Sequence, residues 1–282
     1  MTDPAVARSD TGRVREGNED RWLVRRYGST VLLAVADGVG GSSGGEIASG
    51  VTVETLAASF AAPRSKESAR TALAGAIQRA NEAVLRRSAE LGHPQAASTL
   101  VAVAIRGRDA CIANLGDSRA YLIRHGAARQ LTTDHSGGSA SSITRFLGDA
   151  RGVQPDIFVE TLRPGDRLVL CSDGLTRTVS DDEIAARATG TDPARAADEL
   201  VALANERGGQ DNVTVIIYPA RGRGTARAAI GTSILVGLLI IGVAGALAAA
   251  IIGTSPGLLP PAVPGLRTAT PSLGPTPVPS AP

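Results

Sequence analysis

The sequence predicts an α+β fold, mostly antiparallel sheets covered by helices, on three observations. Short apolar runs of strand character cluster, give way to two helical stretches, and then return. The hydrophobic residues, 43% of the chain against 2% aromatic, are almost all aliphatic, so the core must be built from Val, Leu, Ile and Ala. At 282 residues with 20% charged side chains, the chain is long enough for one sizeable domain with appended segments, which excludes a disordered chain.

In chain order, residues 30–36, 99–105, 110–115, 119–123, 167–171 and 212–218 read as strands from their alternating or continuous Val, Ile and Leu. Residues 46–61 and 67–91 read as helices, the second because Leu73, Ile77, Ala80 and Val84 recur at three- and four-residue steps. A further helix is predicted over 193–207, with Asp192 as its N-cap and Gly208 past its end. Residues 1–220 hold all of these elements and form the predicted domain.

Residues 228–252 contain no charge. As a helix they would span about 37 Å at ~1.5 Å per residue, enough to cross a ~30 Å hydrocarbon core, so a transmembrane helix is predicted there. Arg221, Arg223 and Arg227 make 221–227 a basic juxtamembrane linker, whereas only Arg267 follows the apolar segment. Because Lys and Arg accumulate on cytoplasmic flanks, the expectation is a single-pass protein of the cell membrane with its N-terminal domain in the cytoplasm. Residues 253–282 hold nine prolines among Ser, Thr, Gly and Ala and read as an unstructured extracytoplasmic tail. The first ten residues lack the basic and apolar regions of a secretory leader.

The net charge of +2 comes from the C-terminal arginines, for residues 1–220 carry 25 basic against 27 acidic side chains. A slightly acidic body with so few aromatics suits neither a phosphate backbone nor base stacking, and no nucleic-acid partner is expected. Cys111 and Cys171 lie sixty residues apart in apolar runs without C-x-x-C spacing, and read as buried thiols.

Acidic residues recur beside Gly or Asn at strand ends. Asp37-Gly38 follows 30–36, Asp117 follows Leu115-Gly116, Asp173-Gly174 follows 167–171, and Asp211-Asn212 opens the last strand. The run Arg15-Glu16-Gly17-Asn18-Glu19-Asp20 leads into another strand. One Asp-Gly is an ordinary turn. Five such places at one sheet rim would make a carboxylate cluster that cannot stay ionised without a compensating cation. Oxygen ligands select hard ions, Mg2+ or Mn2+, and three His with no paired Cys offer little to zinc. Two such ions make a hydroxide nucleophile from water and stabilise an in-line displacement at phosphorus. Arg15 then supplies a planar fork for a phosphate dianion. The Gly-rich run 38–45 has no G-K-[ST] after it, and Lys66 is the sole lysine, which excludes a P-loop and a kinase lysine. His93, His125 and His135 read as structural or exposed, and Ser172 lacks the G-x-S-x-G setting of a nucleophile.

Six ordered motifs, R-E-G-N-E-D at 15–20, V-A-D-G-V-G-G at 35–41, N-L-G-D-S-R at 114–119, T-x-D-H-S at 132–136, C-S-D-G-L at 171–175 and G-Q-D-N-V-T at 209–214, resemble the metal-dependent protein phosphatases of type 2C. The resemblance covers about residues 8–219. It implies two antiparallel sheets flanked by helices, an α-β-β-α sandwich, and hydrolysis of phosphoserine and phosphothreonine on proteins. It also implies that Asp37 bridges two Mn2+ or Mg2+ ions, with Glu19 and the Gly38 carbonyl on one and Asp173 and Asp211 on the other. Asp20 would orient metal-bound water, Arg15 would hold the phosphate, and Asp117 would ligate a weaker third ion. The implied partners are phosphorylated proteins and a membrane serine/threonine kinase acting on them. Two departures stand out. Val39 occupies the place where many members carry a His proposed as general acid. Only Gly137 to Ser142 stand between Ser136 and Ile143, where a longer flap is usual, and this short Gly- and Ser-rich stretch is expected to be mobile. The rival expectation is a membrane-tethered phosphoprotein-binding module of the same fold without turnover; the complete carboxylate set argues for the enzyme.

Overall fold

The computed structural model describes residues 5–39, 44–62, 65–137 and 143–220. In chain order these form β1 (Val6–Asp10), β2 (Arg21–Tyr27), β3 (Thr30–Ala36), β4 (Gly38–Val39), α1 (Gly44–Ser59), α2 (Lys66–Glu90), β5 (Ala97–Ser98), β6 (Leu100–Arg106), β7 (Asp109–Leu115), β8 (Arg119–Arg124) and β9 (Ala127–Gln130). After them come β10 (Asp156–Thr161), β11 (Arg167–Cys171), α3 (Asp173–Thr176), α4 (Asp181–Ala188), α5 (Pro193–Glu206) and β12 (Val213–Pro219).

One antiparallel sheet runs β1-β12-β11-β8-β9, a second runs β10-β7-β6-β3-β2, and β4 pairs with β5. Three apolar layers hold the elements together. Side chains of alternate parity on one strand enter different layers: Leu32 and Ala34 of β3 pack with Leu73, Ile77 and Val84 of α2, whereas Val31, Leu33 and Val35 face Leu122, Leu168 and Ile216 of the other sheet. The far face of that sheet, Tyr121, Val169, Val215 and Ile217, packs on Ile184 of α4 and Leu200 of α5. The order is therefore helices, sheet, sheet, helices, with β3 buried along its whole length.

The predicted strand over 30–36 matches β3, and the other five predicted strands are found with ends displaced by one residue at most. The helix predicted over 46–61 begins earlier, at Gly44. The long second helix starts at Lys66 because Ser65 and Ser68 form a reciprocal capping box. Asp192 caps α5 as predicted, accepting from the N–H groups of Ala194 and Arg195. Five strands with no counterpart in the prediction, β1, β4, β5, β9 and β10, are short or carry half-exposed and exposed residues, and α3 and α4 are also additional. Both cysteines are buried free thiols, and burial pushes Cys171 up to about 12.

No helix among the described residues is long and apolar enough to cross a membrane. The predicted linker, transmembrane helix and tail at 221–282 lie outside the described residues, as do 138–142 of the short flap. The bridge between Ser136 and Ile143 closes the base of that flap.

Candidate metal centre

Antiparallel pairing brings the strand ends that carry acids to one rim. Arg21 of β2 pairs with Ala36 of β3, so Glu19 and Asp20 lie beside Asp37. Cys171 of β11 pairs with both Arg119 of β8 and Val215 of β12, which brings together the approaches to Asp117, Asp173 and Asp211. One cavity of about 270 Å³ is lined by Arg15, Glu19, Asp37, Gly38, Val39, Asp117, Asp173, Arg177 and Asp211, with Ile143 and Asn212. Thus seven of the eight predicted residues share a single cleft, and the eighth, Asp20, is buried within hydrogen-bond reach of Ser172 behind it.

The loops that carry these acids are tied by side chains. Asn212 is the main tie, accepting from the Glu19 N–H at 2.8 Å and donating to the carbonyls of Thr11 and Gly17. The Thr99 hydroxyl accepts from the Asp37 N–H and shares a hydrogen bond with Ser118, linking the Asp37 turn to the Asp117 turn. His135 accepts from the Gly116 N–H on Nδ1, which leaves Nε2 to donate to Asp156 at 3.0 Å. This buried His is structural, holding the loop that presents Asp117. Ser172 donates to Asp20 at 2.7 Å while accepting from the Thr214 N–H, so it positions a carboxylate rather than attacking.

Two glycines allow the backbone to close on the cleft. A Cβ on Gly38 would lie 2.2 Å from the Gly45 carbonyl oxygen, and one on Gly174 would lie 2.0 Å from that of Asn212. Gly40 to Ser43, between β4 and α1, lie outside the described residues.

Burial pushes Asp20 up to about 7, and repulsion from Asp173 and Asp211 adds to it against the hydrogen bonds from Ser172 and Thr214. Burial also raises Asp117 to about 6, with Asp173 adding repulsion. Asp37 is raised well above the ordinary carboxylate range by burial and then by Asp20, Asp173, Asp211 and Asp117. Glu19 is raised by burial despite Arg15. Oδ1 of Asp20, Asp117 and Asp173 is buried without a hydrogen-bond partner. Unpartnered carboxylate oxygens that repel each other are the donor set a hard divalent cation requires.

As the side chains stand, no three such groups among the described residues close on one point like an ion's ligand set. The ion pairs explain this. Arg15 grips Asp211 with Nε at 2.9 Å and Nη2 at 3.0 Å, and Arg177 holds Oδ2 of Asp173 through Nε at 2.8 Å and through Nη2. Each arginine covers charge that a cation would otherwise neutralise. Arg177 is the cleft residue that sequence reasoning missed; its signal was the four-residue spacing from Asp173 across α3.

A family model described as protein phosphatase 2C matches residues 12–211, which include every residue lining this cleft except Asn212. The serine/threonine phosphatase stp of Listeria monocytogenes is 35% identical over 240 residues, covering 76% of this chain and 94% of that protein. The serine/threonine protein phosphatase PstP of Mycobacterium tuberculosis is also 35% identical, over 75% of this chain and 44% of its own length. Among solved structures, the Streptococcus agalactiae (S. agalactiae) serine/threonine phosphatase superposes with a TM-score of 0.71 at 31% identity, covering 76% of this chain and 98% of that one. The PstP catalytic domain in complex with two manganese ions superposes with a TM-score of 0.64 at 33% identity, covering 76% and 96%. With its strand-end carboxylates gathered in one cleft and its sheets superposing on these enzymes, the chain belongs to the protein phosphatase 2C family.

Proposed function

We propose that residues 1–220 are a metal-dependent serine/threonine phosphatase that hydrolyses phosphoserine and phosphothreonine on proteins by direct attack of water. The observation that carries this reading is the set of buried, unpartnered oxygens on Asp20, Asp117 and Asp173 in and behind a cleft whose mouth holds Arg15. Glu19, Asp37, Asp173 and Asp211 with the Gly38 carbonyl would hold two Mn2+ or Mg2+ ions, and Asp117 a weaker third. Bound there, the ions supply a hydroxide-strength nucleophile and positive charge for the displacement at phosphorus.

The chain's own residues do the rest. Arg15, half-exposed and planar, turns from Asp211 to clamp two phosphate oxygens. Asp20, fixed through Oδ2 by Ser172, keeps Oδ1 free to orient the attacking water. Val39 is exposed in the cleft and has no proton to donate, so the leaving alkoxide takes its proton from water or another acid. No nucleophilic side chain is needed, because Ser172 is engaged with Asp20 and both thiols are buried.

The same reading makes 221–227 a basic linker, 228–252 a transmembrane helix and 253–282 an extracytoplasmic tail, with the phosphatase domain on the cytoplasmic side of the cell membrane. The uncharged stretch and its arginine flank support it. Tethering would concentrate the domain near a membrane serine/threonine kinase and the phosphoproteins they share.

The test is phosphate release from a phosphothreonine peptide by the chain with Mn2+, with Mg2+ and with chelator, beside an Asp173→Ala variant. Release that needs both metal and Asp173 establishes the enzyme. Silence with every metal, from a folded domain, would instead support a phosphoprotein-binding module. Resistance of the chain to alkaline carbonate extraction from membranes tests the tether separately.

A further inference from the structure

β11 runs from Arg167 to Cys171, and the metal cleft lies beyond its Cys171 end. At its Arg167 end a second cavity, of about 560 Å³, lies between the β8–β9 turn, the loop entering β11 and the end of α4. Its charged and titratable lining is Arg163, Arg167, His125 and Asp166. The acids around it are already engaged. Asp166 gives one oxygen to Nε of Arg124 and the other to Nη2 of Arg124 and the Arg163 N–H. Asp192, which attracts Arg167, caps α5. The cations are not engaged in the same way: Nη1 of Arg167 is buried without a hydrogen-bond partner, and Arg163 stands exposed beside it. Cations whose neighbouring acids are engaged elsewhere leave charge that an anion entering the cavity would cover.

This cavity also lies where the domain ends. The Gly165 N–H donates to the Ala220 carbonyl at 3.1 Å, and the Ala220 N–H donates to the Asp166 carbonyl at 2.8 Å. The sequence continues with Arg221, Arg223 and Arg227 and is uncharged from Ala228. Seven linker residues reach at most ~25 Å when extended. On the proposed tether, the chain therefore leaves the domain at the edge of this cavity, one short linker before the uncharged segment.

We propose that Arg163 and Arg167 bind the phosphate of an anionic phospholipid headgroup and so dock this end of the domain on the leaflet. The proposal rests on the membrane reading above. Charge favours lipid over soluble phosphate: the sequence that follows Ala220 carries three arginines before its uncharged stretch, and an anionic leaflet would attract them as well as Arg163 and Arg167.

The test is hydrogen exchange on the full chain in nanodiscs of phosphatidylcholine with or without phosphatidylglycerol. Amides of 162–163, 165–168 and 188–190 are expected to exchange at least about five-fold more slowly with phosphatidylglycerol, the factor for each arginine at an anionic surface. Arg163→Gln with Arg167→Gln is expected to abolish the difference while hydrolysis of a small aryl phosphate is unchanged. Arg163→Gln alone, at an exposed position that folding does not need, is expected to shrink it. Equal exchange in the two discs overturns the proposal. Equal slowing by inorganic phosphate in plain phosphatidylcholine discs overturns the lipid as the ligand. A chain that does not enter discs at all overturns the tether, and the proposal with it, and is distinguished by its extraction in carbonate.

Discussion

Asp117 and Asp166 lie at opposite ends of the paired strands β8 and β11, and burial pushes both carboxyls up, yet they depart from ordinary values in opposite directions. Asp117 rises to about 6, with Asp173 adding repulsion and one oxygen left without a partner. Asp166 falls below the usual range because Arg124 and the Arg163 N–H outweigh its burial. Asp156 is lowered in the same way by His135 and Arg145. The lesson is where the fold places its own cations. At Asp156 and Asp166 it matches the acid with an arginine; at the metal cleft it gathers acids faster than arginines and leaves the balance to an ion.

The largest expected effect separates the two ends by chemistry. Asp37→Asn, Asp173→Ala and Asp211→Ala are each expected to lower phosphopeptide turnover by about 10³-fold or more, with circular dichroism unchanged. Asp166→Asn is expected to leave turnover intact at low temperature; an equal loss there would erase the distinction between the ends. Arg15→Ala is expected to lower kcat/KM by about 10²-fold, read in the same assay, since it removes the phosphate clamp and not the ions.

Stability should show the reverse pattern. Asp166→Asn removes the nearest acid of Arg124, leaving it Glu160 at 3.8 Å and the Thr161 carbonyl, and is expected to cost about 1–2 kcal/mol in urea unfolding. Asp117→Asn should stabilise the metal-free domain in the same experiment, because it removes a repelled charge.

The pH dependence sharpens the contrast. Asp20 and Asp117 have folded values raised to about 7 and about 6, so the stability they contribute is full below their unfolded value near ~4 and is lost as pH rises through 6 to 7. Asp156 and Asp166 have lowered values, so their contribution is present above ~4 and is lost as pH falls below it. Thermal melts in chelator should therefore peak in mild acid and decline toward pH 8. Mn2+ should flatten the decline, since the ion replaces the protons. A metal-free melting curve that climbs toward pH 8 would contradict this account. The smallest effect is expected from Arg177→Ala: the Mn2+ concentration for half-maximal activity should fall several-fold, because the ion no longer displaces a guanidinium from Asp173.

Much of this was legible in the chain. The continuous apolar run over 30–36 read as a strand and is β3, and Asp37, Asp117, Asp173 and Asp211 announced themselves by standing beside Gly or Asn at strand ends. The structure brought all four into one cleft with Glu19 and Arg15. β10 escaped notice because its residues are half-exposed and lack a clean alternation, and α4 because eight residues show little more than two turns of periodicity.

By itself, the sequence determined the type of each long element and the supply of acids at their ends, since periodicity and turn chemistry act over a few residues. Which acids receive an arginine was decided only by tertiary structure. Arg15 and Asp211 are 196 positions apart, and Arg124 and Asp166 are 42 apart. Their meeting depends on the register of β8 on β11 and of β1 on β12, which joins the two ends of the domain, and no local pattern encodes it. A carboxylate's charge state follows from burial and from those distant partners, so the division between a paired acid and a metal-seeking one belongs to the fold.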